Sequence, residues 1–307
     1  MGILRITSLV LLVSACATGN NMENEHDHQE DNTLVDEPLR IIAVFAHPDD
    51  GDFKMGATAA LWAEMGHEVK FVSITNGDAG HYDEGGGTLA KRRRAEAEEA
   101  GRRLGLKEYT VLDHHDAELM PHLHIRKEVI KEIREWDADI VIGLRPNDYH
   151  PDHRYAGELV QDAAYMVIVP NIVTDSPPLE KNPVFLYMHD GFERPNPFQP
   201  DIAVDVTHTW DIKIQALDAH ESQVYEWIPW TMGQRDEVPE EESERKEWLR
   251  DWIQPSEPDE ATMESLVKWY GDDQASEVTA VESFEIAEYG HQPDEDEIRK
   301  LFPMLGQ

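Results

Sequence analysis

Ile41-Ile42-Ala43-Val44-Phe45-Ala46-His47-Pro48-Asp49-Asp50 is the stretch that decides how the chain folds. Its first six residues are apolar, uncharged and without alternation, the pattern of a parallel strand covered on both faces. Pro48 has no N–H for a sheet ladder and ends the strand. The strand therefore delivers His47, Asp49 and Asp50 at its carboxyl end, where ligands collect in open α/β sheets. A second apolar run, Ile140-Val141-Ile142-Gly143-Leu144, leads to Tyr149-His150-Pro151-Asp152-His153. Two strand ends thus offer the same residue types.

Working outward, Phe53 to Met65 places Met55, Ala59, Trp62 and Ala63 at helical spacing and stops at Gly66. Val69 to Thr75 reads as a strand, and the glycine-rich stretch Asn76 to Gly87 as a site rim, since it lacks a phosphate-binding pattern. Leu89 to Leu104 is a charged helix ending at Gly105, and Tyr109 to Leu112 a third strand that runs into Asp113-His114-His115-Asp116. Helices follow over Leu123 to Trp136 and Asp152 to Met166, strands over Val184 to Met188 and Ile202 to Val206, and a helix over Asp211 to His220. This alternation predicts an α/β fold: a doubly wound, largely parallel, Rossmann-like sheet with helices on both faces and a C-terminal extension. From about 225 to 275 the chain is rich in Trp, Glu and Pro without a clear period. Trp227, Trp230, Trp248, Trp252 and Trp269 there are read either as a lid over the site or as the packing of an ordinary insertion.

The chain has 307 residues and a formal net charge of −36, which argues against nucleic acid as a partner because phosphate binding needs clustered Lys and Arg. Residues 1–16 read as a lipoprotein signal peptide. Arg5 precedes a short apolar core, Leu9 to Val13, and Val13-Ser14-Ala15-Cys16 resembles a lipobox. Cys16 is the only cysteine, which suits a lipid anchor better than a disulfide or redox role. Residues 17–38 are polar and acidic, as a flexible tether would be, and 39–307 form the folded domain. These features predict an exported protein, lipid-anchored in a bacterial envelope on the periplasmic side or at the outer membrane.

The two clusters carry chemistry as a set. His47 and Asp50 stand three apart on a turn, and His153 adds a second imidazole from the other strand end. Two imidazoles and a carboxylate with a position left open are the ligand set of a catalytic zinc site. Zinc lowers the pKa of bound water to about 7 and polarises a carbonyl, which makes amide hydrolysis feasible without a nucleophilic side chain. Asp49, adjacent to the ligands but free, is the candidate general base. His150 and Asp152 form a candidate pair in which the carboxylate fixes the imidazole that serves the departing group.

Ala46-His47-Pro48-Asp49-Asp50 and His150-Pro151-Asp152-His153 resemble the paired motifs of the PIG-L/LmbE-like zinc deacetylases, which remove acetyl groups from N-acetylglucosamine-type sugars. The likeness runs from about Leu39 to Val224. It implies one zinc, or another divalent metal, on His47, Asp50 and His153, with Asp49 as base and His150, oriented by Asp152, as the acid or electrophilic group. Arg93, in a segment similar to the family's arginine-bearing second helix, and Asp116 would face the amino sugar. Ala219-His220-Glu221-Ser222-Gln223 looks like the family's later helix end, and Glu282-Ser283-Phe284-Glu285 like its closing strand. Two departures stand out. Gly51 occupies the position after the two aspartates where the family usually has Glu, and Asp148 the position where some members carry a catalytic tyrosine, with Tyr149 one residue later.

The leading expectation is therefore a zinc-dependent N-deacetylase. Its rivals are a non-catalytic carbohydrate-binding lipoprotein on the same fold and a zinc hydrolase of another amide or ester. Arg93 is also readable as part of a solvated Lys91–Arg94 face, and His114, His115, His122 and His124 as rim residues rather than a second metal patch.

Overall fold

β1 (Arg40–Phe45) sits in the middle of the sheet, and Ile41, Ile42, Val44 and Phe45 are wholly buried, as an unbroken apolar run requires. Each such side chain contributes on the order of 1.5–3 kcal/mol over an exposed one. The computed structural model describes residues 37–306. The expected signal peptide with Cys16, and the expected tether up to residue 36, lie outside the described residues.

Seven strands form one sheet in the order β3-β2-β1-β4-β5-β7-β6, in which β2 is Glu68–Thr75, β3 Glu108–His114, β4 Ile140–Gly143, β5 Val184–Met188, β6 Ile202–Asp205 and β7 Val281–Gly290. β1 to β5 pair in parallel; β7 inserts antiparallel between β5 and β6. Helices α1 (Asp50–Glu64), α2 (Gly86–Leu104) and α5 (Trp210–Asp218) pack together as one layer, and α3 (Leu123–Trp136) packs with α4 (Pro151–Met166) as another. The chain thus winds outward from β1 in both directions, and the reversal falls between β1 and β4. A crevice at the carboxyl ends of those two strands follows from the topology.

Three local results differ from the sequence reading. α1 begins at Asp50, ahead of Phe53, because the Asp49 and Asp50 amides close a turn onto the His47 carbonyl at 2.7 and 3.2 Å. β3 runs on to His114. The stretch without a period contains ordered helix: a π-helical turn Ser222–Trp227, α6 (Ile228–Met232), α7 (Glu242–Trp252) and α8 (Glu260–Tyr270). Its pattern is obscured because it buries aromatic rings in small clusters, such as Leu249 with Trp248 and Trp252, rather than one continuous stripe. Trp269 is buried in the main core and donates Nε1–H to the Asp201 carbonyl at 2.9 Å, so it packs the domain and is no lid.

Candidate active site

The turn after β1 is built around the Asp50 carboxylate. Its Oδ2 accepts the amides of Ala46 at 3.1 Å and His47 at 2.8 Å, so the side chain folds back over the strand end with its charge at the start of α1. The second half comes from the start of α4, where His150 caps the helix, its Nδ1 accepting the Asp152 amide at 3.2 Å, and Pro151 takes the first turn. His153 then projects back toward β1.

The two halves meet. His47 Nδ1 lies 3.1 Å from His153 Nε2, Asp50 Oδ1 is 3.2 Å from that same Nε2, and Asp50 Oδ2 is 3.6 Å from His47 Nδ1. The outer face of each ring has a carboxylate partner. Asp148 Oδ1 is 3.0 Å from His153 Nδ1, and Asp116 Oδ1 is 3.1 Å from His47 Nε2, close enough for charge attraction though off a hydrogen-bond axis. Burial lowers the pKa of both rings, but Asp116, Asp152 and Asp50 raise that of His47, and Asp50 and Asp148 raise that of His153 to about 9. A metal ion that displaces the ring protons would meet the inner nitrogens, which face each other and Asp50, while Asp148 and Asp116 lie at the outer ones. Two inner nitrogens and a carboxylate this close need positive charge among them, supplied by ring protons or by a metal ion. Ligand atoms spaced 3.1–3.6 Å apart also suit tetrahedral coordination at about 2.0–2.2 Å. The residues present fit a zinc ion.

Charge balance points the same way. Asp49, Asp50, Asp116 and Asp152 are buried around a single buried guanidinium, Arg93, which is 2% exposed. Arg93 donates Nη2–H to Asp49 Oδ1 at 3.0 Å and lies 3.9 Å from Asp116. It is no solvated helix face: it braces the base candidate and lines the cavity. Burial raises the Asp49 pKa, Arg93 pulls it down, and Asp50 adds to the rise. Burial opposes ionisation of Asp50, but the His153 and His47 rings hold its carboxyl well below the usual range. Burial and the neighbouring His47 and His153 rings push His150 down.

Asp152 does not orient His150 through its carboxylate, contrary to the sequence reading. Its oxygens accept the amides of Ala117 at 2.7 Å and Leu119 at 3.2 Å, and one lies 3.4 Å from His47 Nε2. The residue starts a helix whose first turn points it at the loop after β3, so it fixes that loop and with it Asp116. Tyr149 is exposed and packs edge-on to the rings of His150 and His153. His220 lies fully buried behind the site, 3.2 Å from Asp52. His114 and His115 pair with Glu128 and Asp78, each at 2.7 Å. His122 and His124 stack on one another and do not line the cavity.

Sequence reasoning missed Asp148, although its spacing of five before His153 was a usable signal. It also missed Ile228 and Met232 on the cavity wall, which no motif marks, and it gave Gln223, within the helix-end resemblance, no place in the cavity. The cavity has a volume of about 690 Å³ and joins His47, Asp49, Asp50, His150 and His153. Its size falls within the ~300–1,000 Å³ typical of ligand sites.

The model of the PIG-L family, described as GlcNAc-PI de-N-acetylase, matches residues 42–164. The diacetylchitobiose deacetylase of Thermococcus kodakarensis is 31% identical over 213 residues, spanning 64% of this chain and 76% of that protein. A probable N-acetyl-alpha-D-glucosaminyl L-malate deacetylase of Bacillus cereus is 27% identical over 193 residues, 60% of this chain and 83% of the relative. The solved structure of the N,N'-diacetylchitobiose deacetylase of Pyrococcus horikoshii superposes with a TM-score of 0.60 at 27% identity, covering 80% of this chain and 83% of the other. The likeness runs through both strand ends that gather His47, Asp50, His150 and His153, and the chain belongs to the PIG-L family.

Proposed function

We propose that this chain is a zinc-dependent hydrolase that removes the acetyl group from an N-acetylglucosamine-type amino sugar. The observation that carries the reading is the convergence of His47 Nδ1, His153 Nε2 and Asp50 at one point of a cavity wide enough for a sugar. The relatives named above, which are deacetylases of such sugars, support the choice of bond.

When bound by His47, Asp50 and His153, zinc would acidify water and polarise the amide carbonyl. The rest falls to the chain's own side chains. Asp49, with its pKa lifted by burial, takes the proton of the attacking water, and Arg93 holds it in position. His150, half-buried on the cavity wall, faces the departing amine; the downward shift of its pKa makes its protonated form the stronger acid. Asp116 and Arg93 offer hydrogen-bonding edges to the sugar, and Asp152 keeps the Asp116 loop in register.

The same proposal includes the address. Cys16, after a short apolar core and before an acidic segment, would carry lipid and hold the domain in the cell envelope. The substrate would then be an envelope or imported glycan.

Incubating zinc-loaded protein with a panel of N-acetylated sugars, and assaying free acetate, tests the activity. Acetate is expected from at least one amino sugar. Bound zinc and bound sugar without acetate would instead support a carbohydrate-binding protein, and release from unrelated amides or esters alone a different hydrolase.

A further inference from the structure

The loop after β5, residues 189–201, forms one side of the catalytic cavity through Asp190, Gly191 and Phe192. It contains no helix or strand, and among the described residues its one internal backbone bond runs from the Asp201 amide to the Gln199 carbonyl at 2.8 Å. A segment without a ladder takes its shape from side chains that reach in from elsewhere.

Arg145 is the main one. It stands just past the carboxyl end of β4 and is 7% exposed. Its Nε–H and one Nη2–H reach the two oxygens of Asp190 at 2.7 and 2.6 Å, a second Nη2–H reaches the Phe192 carbonyl at 2.7 Å, and Nη1–H reaches the Asn196 carbonyl at 3.0 Å. The guanidinium also covers the Phe198 ring, 5.6 Å from its centre. Four points of the loop thus hang on one planar fork, which fixes direction as well as distance. The anchor is itself held. Its backbone lies directly against Gly157 of α4, where an added Cβ would stand 2.9 Å from the Arg145 carbonyl carbon and 3.0 Å from the Pro146 nitrogen. The helix that carries His153 therefore sets where the loop stands.

The loop is also a partition. Asp190 and Gly191 line a neighbouring cavity of about 500 Å³ as well, and Lys54, which borders both spaces, donates Nζ–H to the His189 carbonyl at 3.1 Å. On the catalytic side the Phe192 ring lies 6.5 Å, centre to centre, from that of Tyr149, which packs edge-on to His150 and His153. A buried ion pair adds little net stability over apolar groups of the same volume. Stability therefore does not account for Arg145 and Asp190 here, whereas placing the loop does.

We infer that Arg145 is a positioning residue for the substrate: by pinning Asp190 and Phe192 it keeps one wall of the catalytic cavity in place and the neighbouring space shut off. It belongs to neither histidine motif and does not itself line the cavity, so it acts through the loop. This inference rests on the deacetylase reading for what the wall holds. Losing the wall removes contacts shared by the bound substrate and the transition state, which raises KM and spares kcat.

Zinc-loaded wild type is compared with Arg145→Lys and with the paired change Arg145→Met and Asp190→Leu, circular dichroism confirming the fold of each. The apolar pair strands no buried charge, so it folds even where Arg145→Ala alone does not. Hydrogen exchange over 189–201 is followed without sugar, and acetate release is followed with each sugar of the same panel, N-acetylglucosamine included. In the apolar pair, exchange in the loop rises about tenfold while that of α4 stays within about twofold, KM rises about tenfold and kcat stays within about threefold. Arg145→Lys, which keeps the charge without the fork, falls between.

Unchanged loop exchange in the apolar pair overturns the inference, and so does a looser loop with KM unchanged or with kcat lost instead. Acetate release by the wild type under any of those outcomes leaves the deacetylase standing without the positioning residue. A wild type that binds a sugar by calorimetry and releases no acetate removes the deacetylase reading, and the dissociation constant then takes the place of KM: a rise in the apolar pair supports the inference, an unchanged value overturns it. A wild type that neither binds nor cleaves any sugar of the panel removes both.

Discussion

Asp148 offers the sharpest test of the metal site, because it touches a proposed ligand and belongs to neither motif. Its Oδ1 lies 3.0 Å from His153 Nδ1 and also accepts the His150 amide at 3.0 Å. Asp148→Ala removes the group that fixes the His153 tautomer and ring direction. Loss of such a partner weakens metal binding by about 10- to 100-fold, or about 1.4–2.7 kcal/mol. Asp148→Asn keeps an acceptor oxygen without the charge, so its loss falls at the low end, about tenfold. Protons complicate the measurement in a calculable way. Burial lowers the His153 pKa, but Asp50 and Asp148 raise it to about 9 in the metal-free protein. Below that value zinc must displace a proton, so zinc affinity falls as pH falls, by up to about tenfold per unit for one proton. Removing Asp148 lowers the His153 pKa and relieves this competition. The variants therefore differ from wild type most at pH near 9 and least near pH 7. Chelator-competition titrations of zinc at both values check this, with circular dichroism to confirm folding; Asp148 is half-buried on a loop, so the fold persists. A folded Asp148→Ala protein with wild-type zinc affinity at pH 9 refutes the assigned ligand geometry.

Asp49→Asn is expected to retain zinc by elemental analysis and to lose about 100- to 10,000-fold in acetate release, whereas His153→Ala loses the metal itself. Gly51→Ala drives a Cβ into Phe45 Cε1 and to 3.0 Å from Phe71 Cε2, so urea unfolding should show a loss of about 1–3 kcal/mol. Lys213→Met strips Glu282 of a buried partner at 2.8 Å and should cost about 3–5 kcal/mol in the same assay. Cys16→Ser should move the protein from the membrane to the soluble fraction of expressing cells, and equal partitioning of both forms removes the anchor.

How much of this was legible in the sequence depends on the range of the interaction involved. β1 and β4 announce themselves because burial on both faces demands an unbroken apolar run, and the residues after each run land in one crevice because the winding reverses there. α3 carries a clear amphipathic period and was bounded to the residue, Leu123 to Trp136. The contacts that reach across the chain left no local trace. Arg93 sits in a run of four basic residues, and only the tertiary fold shows that it turns inward onto Asp49 while Lys91 faces solvent. Asp152 looked like the partner of His150 because the two are adjacent in sequence. In three dimensions the helix start points its carboxylate at Ala117 and Leu119 instead. The wall of Trp227 and Met232 follows from no period, since a π-helical turn shifts the face that six residues present.

The departure at Gly51 shows how a site keeps its electrostatics when one position changes type. The Phe45 and Phe71 rings pack edge to face at 5.4 Å and fill the space where a side chain at 51 would start, so no carboxylate fits there. The next residue supplies one. Asp52 is fully buried on the first turn of α1, accepts the Tyr109 hydroxyl at 2.8 Å and lies 3.2 Å from His220 Nε2. Burial would keep the His220 ring neutral, but Asp52 and then Asp49 raise its pKa. A buried carboxylate beside a buried imidazole forms with it a pair from which neither can be removed cheaply. This pair joins the start of α1, which follows directly on Asp49, to the end of α5. The backbone that aims the proposed base is thereby tied to the layer behind it, through a residue one step along from the family's usual position and a histidine that never reaches the cavity.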